Sequence, residues 1–296
     1  MITYFQAIVL GLLQGFTELF PISSLGHSVI FSWLFNWNTI LADETKSESF
    51  FLSFLVAMHV ATGLALFIYY RKIWYRIFQG LFQSLRSRKI ESADSRLGWL
   101  LIVGTIPAGL TGLLLEHHLR AQFAKPLSAI IFLFINGIIL LLGDQYLRKH
   151  PVKDTPYTDS ATFENVSEAL NFKRAVIIGT AQVTALFAGI SRSGVTMVSG
   201  LYSGLNREDA ARFSFLLATP IIFAAGIYKL PDFFSNLESG TLGQILAGSF
   251  AAGIAAYIAV SFLDKYFQDK TLRPFAIYCL AASVLMLVLG LFRGHF

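Results

Sequence analysis

The sequence predicts an all-α polytopic membrane protein with an inverted-topology repeat, about six transmembrane helices and two re-entrant helical hairpins. Three observations carry that expectation. Of 296 residues, 55% are hydrophobic and only 14% charged, with a mean hydropathy of +0.61, which lies outside soluble globular usage. Several apolar segments reach the roughly 20 residues that a helix needs to cross a bilayer core of about 30 Å. Finally, the polar string Gln-Gly-Phe-Thr-Glu-Leu-Phe-Pro-Ile-Ser-Ser-Leu-Gly-His at 14–27 has a degenerate copy, Gln-Val-Thr-Ala-Leu-Phe-Ala-Gly-Ile-Ser-Arg-Ser-Gly, at 182–194. An offset of 168 positions matches Gly11 with Gly179, Gln14 with Gln182, Ile22 with Ile190, Ser23 with Ser191 and Gly26 with Gly194.

In chain order, 3–20 and 27–37 are short apolar pieces split by Pro, Ser and Gly, as a re-entrant hairpin would be. Non-helical backbone at membrane depth survives only inside protein or beside a wet cavity. Spans follow at 50–70, 98–115 and 126–146. The polar stretch 147–173, with Pro151 and Pro156, is a linker with an amphipathic piece at 163–170 lying on the surface. The second hairpin is 174–188 with 194–205, and spans follow at 212–230, 243–262 and 272–292. The halves are therefore 1–146 and 174–296, joined by a cytoplasmic linker into one integral membrane domain. Further echoes keep the same order: Ser53-Phe54-Leu55-Val56-Ala57 with Ser214-Phe215-Leu216-Leu217-Ala218, and Lys125-Pro126-Leu127 with Arg273-Pro274-Phe275. Three spans per half is an odd number, so the second half enters from the opposite side, an arrangement that places sites near the midplane.

Most of the 23 Lys and Arg residues fall on one face. Loop 71–97 holds Arg71, Lys72, Arg76, Arg86, Arg88, Lys89 and Arg96, and 147–174 holds Arg148, Lys149, Lys153, Lys173 and Arg174. Arg207, Arg212, Lys265, Lys270 and Arg273 join them. That face is cytoplasmic by the positive-inside rule. The acid-leaning stretches 38–49 (Asp43, Glu44, Glu48) and 231–242 (Asp232, Glu238) fall outside. Cys279 is alone, which excludes an intramolecular disulfide and argues against a Cys-based metal site. The first twenty residues lack the flanking charge and cleavage site of a signal peptide and are interrupted by Gln14 and Glu18. The 28 Phe residues suit lipid contact and helix interfaces alike.

An ionised carboxylate is costly in hydrocarbon, so Glu18 points to function and demands a partner. Gln14 shares its helix face one turn earlier, and the break at Pro21 and Gly26 turns Ser23, Ser24 and His27 into the same space. The second copy supplies a fixed cation, Arg192, between Ser191 and Ser193, with Thr196 following. A Gly-x-Ser-Arg-Ser-Gly turn opening a helix offers free N–H groups, hydroxyls, a dipole end and a guanidinium fork, which suit a phosphate. The alternative for Arg192 is a structural counter-ion to Glu18. Arg207 is either a second phosphate contact or a plain cytoplasmic charge, and Thr196 either a donor or a filler. His59 and the pair His117/His118 read as structural. Taken together, the inventory suits a divalent cation with oxygen ligands, neutralisation of phosphate charge and a hydroxyl nucleophile beside a base.

These strings resemble a known family. Residues 14–27 are similar to the first signature of the undecaprenyl-diphosphate phosphatases of the BacA type, and Ala-Gly-Ile-Ser-Arg-Ser-Gly-Val-Thr at 188–196 to the second. The likeness runs along the whole chain, including Arg207 and Phe213-Ser214-Phe215-Leu216-Leu217. The resemblance implies an enzyme of the bacterial inner membrane that removes one phosphate from undecaprenyl diphosphate, regenerating the carrier for cell-wall synthesis and conferring bacitracin resistance. It implies a pocket open to the periplasmic side, a polyprenyl diphosphate and the bilayer as partners rather than nucleic acid, and a homodimer. By position, Glu18 and Gln14 would hold a divalent cation (Mg²⁺ or Ca²⁺). Ser24 would be the nucleophile or orient water, and His27 would be acid/base or a head-group contact. Arg192, with Ser23, Ser191, Ser193, Thr196 and Arg207, would bind the diphosphate. Gln14 replaces a Glu common in the family and Ala188 a usual Pro, so the site has one carboxylate fewer. A His-nucleophile lipid phosphatase is excluded, since Val198 stands where its His should be. A polyprenyl-phosphate transporter or flippase built on the same inverted repeat is the alternative from another class.

Overall fold

The structure is a computed structural model that describes residues 2–37, 50–123, 125–152, 164, 166–235 and 240–293. Among these residues the chain is mostly helical, without a strand. The principal helices are α1 (Tyr4–Leu19), α2 (Ser24–Leu34), α3 (Phe50–Tyr69), α4 (Arg71–Ser87), α5 (Ala93–Phe123), α6 (Pro126–Lys149), α7 (Phe172–Val183), α8 (Arg192–Tyr202), α9 (Arg207–Tyr228), α10 (Leu230–Ser235), α11 (Leu242–Asp269) and α12 (Arg273–Phe292). The stretches 38–49 and 236–239, most of 153–165, and the side chains of Asp232, His117, His118 and Arg120 lie outside the described residues.

Five helices are long and apolar enough to cross a membrane, and α3 makes a sixth when taken with α4, from which it is bent by 83°. All six predicted spans are thus helices. Several run past the apolar stretch: α9 starts at Arg207, α6 reaches Lys149 and α11 reaches Asp269. The backbone keeps its internal hydrogen bonds beyond the hydrocarbon while the side chains turn polar. The loop expected over 71–97 is instead largely helical, because α4 lies across the span that precedes it. Phe serves both expected roles: Phe54, Phe213, Phe215 and Phe267 are buried, whereas Phe250 is 73% exposed on the perimeter.

The two hairpin helices that precede the breaks, α1 and α7, are 16 and 12 residues long, about 24 and 18 Å at 1.5 Å per residue. Neither spans. Each packs on a long helix of the other half, α1 on α11 and α7 on α5. Gly11 and Gly179, matched by the 168-residue offset, do the same job in both places. A Cβ on Gly11 would strike the carbonyl of Gly248, and one on Gly179 the carbonyl of Gly104. Without a hydrophobic drive between helices in lipid, such small-residue contact lets backbones approach and gain dispersion energy. The buried Ala252, Ala255, Ala256 and Ala259 continue the seam along α11.

At the end of the bundle that carries the basic residues, buried ions tie the long helices together. Arg212 of α9, 1% exposed, donates from Nε to Asp264 of α11 at 3.0 Å and pairs with Glu208 at 3.4 Å. Tyr70 and Tyr69, at the end of α3, donate to the same aspartate at 3.1 and 3.2 Å. Asp144 of α6 is held by Arg148 and Arg273 at 3.1 and 3.2 Å. Asp264 survives burial because it is paired and hydrogen-bonded, and Asp144 because two guanidinium groups neutralise it.

Candidate active site

The site starts from a helix that cannot continue. Pro21 follows α1, and the residue before a proline is driven from the helical region; Phe20 accordingly has φ −64° and ψ 141°. Ser23 then takes φ 73°, a left-handed conformation that costs a non-glycine residue of order 1–3 kcal/mol. Its surroundings hold it there. Ser23 Oγ accepts from Gly26 N at 3.2 Å and from Gly189 N, in the second hairpin, at 3.1 Å. The Ser23 carbonyl accepts from His27 N at 3.2 Å. Gly189 has φ 110° and abuts the α6 backbone, where a Cβ would lie 2.7 Å from Leu133 N, so only glycine fits.

The second break is bolted to the first. Asn136 of α6 donates from Nδ2 to the Pro21 carbonyl at 2.9 Å and accepts from Ser191 N at 2.9 Å. Ser191 and Ser193 donate from Oγ to the Phe20 carbonyl at 3.4 and 3.2 Å. The broken helix would otherwise leave these carbonyls unpaired inside the protein. Ser191 also caps α8, accepting from Gly194 N at 3.1 Å. As a result α2 and α8 both begin at the same place, presenting two positive helix ends.

Four side chains converge on one carboxylate there. Glu18 Oε1 accepts from Arg192 Nη2 at 3.0 Å. Oε2 accepts from Ser24 Oγ at 2.5 Å and from Gln14 Nε2 at 3.1 Å, while His59 Nε2 lies 3.4 Å away. His59 is oriented by its Nδ1–H, which donates to the Leu55 carbonyl at 2.8 Å. Side-chain exposure is 7% for Glu18, 14% for Arg192 and 32% for His59, so the imidazole is the most open of the three. Arg192 Nη1 and Gln14 Oε1 are buried with no partner among the described residues. A guanidinium donor and an amide oxygen thus stand beside one carboxylate, a set that suits both acceptor atoms and positive charge.

Glu18, Gln14, Ser24 and Arg192 thus meet as the sequence suggests, and Arg192 does pair with Glu18. Ser23, Ser191 and Ser193 stand beside them, with hydroxyls spent on the hairpin junction. Thr196 lies behind, bonded to the Arg192 carbonyl at 2.8 Å and to Ser214 Oγ at 2.6 Å. His27 faces α12: Nδ1 donates to the Ser23 carbonyl at 2.7 Å, and Nε2 takes the Tyr278 hydroxyl at 2.8 Å. Arg207 does not reach this cluster. It starts α9, seven residues before Ser214, and α8 carries the chain about 16 Å away from Arg192 over its 11 residues. His59, expected to be structural, belongs to the site. The available signal was a polar residue inside an apolar span; Asn136 gave the same signal.

Among the described residues no three His, Cys, Asp or Glu side chains form a metal cluster. One carboxylate and the unpaired Gln14 Oε1 do fit a cation whose remaining ligands are substrate oxygens, the usual manner for Mg²⁺ beside phosphates. Depth agrees between helices. Asn136 lies ten residues into α6 and His59 nine into α3, each about 14–15 Å along, half of a bilayer core of about 30 Å.

Residues 7–285 match the family model described as bacitracin resistance protein BacA. The chain is 49% identical to an undecaprenyl-diphosphatase of Mycolicibacterium paratuberculosis, covering 97% of each chain. It is 42% identical to undecaprenyl-diphosphatase 2 of Frankia alni, over 97% of this chain and 98% of that one. With undecaprenyl-diphosphatase 2 of Burkholderia thailandensis the identity is 43%, over 97% and 96%. With both hairpin strings inside the matched region and relatives alike along nearly their whole length, this chain belongs to the bacitracin resistance protein BacA family.

Proposed function

We propose that this membrane protein hydrolyses undecaprenyl diphosphate to undecaprenyl phosphate and inorganic phosphate, recycling the lipid carrier of cell-wall synthesis and so conferring bacitracin resistance. The observation that carries the reading is the Glu18 carboxylate, which holds the Ser24 hydroxyl on one oxygen and the Arg192 guanidinium on the other. A base-held hydroxyl beside a fixed cation is what phosphoryl transfer asks of a protein. The relatives are named as diphosphatases, so the transporter alternative is set aside.

In this mechanism the diphosphate enters from the outer face and its oxygens take Arg192 Nη1 and the open N–H groups at the starts of α2 and α8. Glu18 accepts the Ser24 proton as Oγ attacks the terminal phosphorus. The bond to the bridging oxygen breaks, and the monophosphate lipid leaves with that oxygen. Glu18 passes that proton to the departing monophosphate; water then attacks the phosphoserine and gives a proton to Glu18, which returns it to Ser24 Oγ as the bond from Oγ to phosphorus breaks and inorganic phosphate leaves. In the variant without a covalent intermediate, Ser24 orients the attacking water. Glu18 and Gln14 Oε1 would hold a divalent cation together with diphosphate oxygens, and that ion would supply charge neutralisation. His27, braced by Tyr278, sets the turn that aims Ser24.

The depth of the site, the α1/α11 and α7/α5 exchange, and the matched Gly11 and Gly179 support two inverted halves sharing one pocket within the membrane; the inner membrane and an opening to the periplasm are part of the proposal, on the family resemblance. Phosphate release from purified protein with a polyprenyl diphosphate, with and without chelator, tests the function. The proposal expects release that the chelator abolishes; no release under either condition refutes it.

A further inference from the structure

The helix α4 (Arg71–Ser87) has three distinct faces. Ile73, Ile77, Gly80 and Ser84 are buried, with Gly80 packed on the Ser95 backbone of α5. Tyr75, Phe78, Phe82 and Leu85, at helical spacing, are 64%, 52%, 68% and 65% exposed. Lys72, Arg76, Gln79, Gln83 and Arg86 share a third stripe, also at helical spacing. The helix turns 83° from the span before it, so it lies in the membrane plane when that span stands upright. Aromatic residues anchor the turn: Phe67, Trp74 and Phe78 pack together with centroids 5.6–6.4 Å apart.

The charges on α4 are unbalanced. Arg76 is held by Asp94, with Nη2 2.9 Å from Oδ1, and Lys89 stands 3.6 Å from Glu91. Arg71, Lys72, Arg86 and Arg88 are exposed and have no acidic partner among the described residues. An exposed aromatic face flanked by free cations, on a helix at right angles to a span, is the arrangement of an interfacial helix. Cations placed this way attract acidic lipid head groups.

We infer that α4 is a binding surface for anionic phospholipid, with Tyr75, Phe78, Phe82 and Leu85 in the acyl region and Arg71, Lys72, Arg86 and Arg88 on the head-group phosphates. Because α4 continues directly from α3, the helix that carries His59, the lipid contact also fixes the end of a site helix. This surface lies outside the hairpin pocket and does not depend on its chemistry.

The test uses the full-length protein in phosphatidylcholine vesicles, with spin-labelled phosphatidylglycerol or phosphatidylcholine as probe. The parent protein should retain phosphatidylglycerol preferentially. The combined substitution Arg71→Gln, Lys72→Gln, Arg86→Gln and Arg88→Gln should lower that preference at least about fivefold, the weight of even one surface cation. High salt should do the same to the parent. Phosphate release by the fourfold variant in detergent should stay at the parent's level. An undiminished preference in the fourfold variant, or none in the parent, overturns the inference. Independently, a nitroxide at Phe82→Cys in a Cys279→Ser background should be relaxed by oxygen rather than by an aqueous nickel chelate; the reverse also overturns it.

Discussion

Replacing Arg192 with alanine removes the single cation that the second hairpin contributes and exposes what it does for the first. Its Nη2 sits 3.0 Å from Glu18 Oε1, and both side chains are largely buried. Breaking a buried pair by deleting one partner costs about 3–5 kcal/mol, because the remaining charge stays desolvated. Here His59, 3.4 Å from the other oxygen, offsets part of that, so the lower end applies. The loss in turnover should be larger than stability alone explains. Deleting one fixed donor to developing oxyanion charge costs roughly 10²–10³ in kcat, and Arg192 adds net charge and a second, unpaired Nη1. We expect Arg192→Ala to lower kcat/KM at least about 10³-fold. Arg192→Lys should lower it by about 10², since a point ammonium cannot hold Glu18 and a phosphate as a planar fork can. Phosphate release measures the first quantity and thermal unfolding in detergent the second. Turnover within tenfold of the parent in Arg192→Ala would refute the assignment.

Three further outcomes follow from the same geometry. Ser24→Ala should retain the parent's unfolding temperature and lose at least about 10³ in turnover if Oγ is the nucleophile; a variant as active as its parent transfers that role to water. Gln14→Glu restores a second carboxylate beside the unpaired position of Gln14 Oε1, and should lower the cation concentration that gives half-maximal phosphate release. An unchanged or raised requirement would remove Gln14 from the cation site. Gly179→Val forces a side chain onto the Gly104 carbonyl; overpacking of this kind costs about 1–3 kcal/mol or more, and a parent-like unfolding temperature would show that α7 and α5 do not touch.

The six spans were legible because length and hydropathy report transfer into lipid directly, and Pro21 with the repeated Ile-Ser pair marked both breaks. The convergence of Glu18, Ser24 and Arg192 was legible for a related reason: a lone carboxylate and a lone guanidinium inside apolar sequence must find each other. His59 and Asn136 were harder, since one polar residue in a span carries no spacing pattern and its partners sit far away in the chain. The hydroxyls of Ser191 and Ser193 look like ligand donors in sequence, yet the carbonyl freed at Phe20 claims them first. Arg207 matched by motif, but the length of α8 removes it from the pocket. Helix α4 was hidden by its own amphipathicity, because an in-plane helix is too polar for a span and its charges resemble a loop.

The most direct test of a pocket shared by both hairpins is a double-mutant cycle on kcat/KM with Glu18→Gln and Arg192→Met, in the same vesicles and with the same polyprenyl diphosphate. Groups that act as one unit are strongly non-additive. If the two residues serve one diphosphate, the double variant should be no slower than the worse single variant. Effects that multiply, each substitution costing its full factor in the presence of the other, would contradict a single site built from two halves.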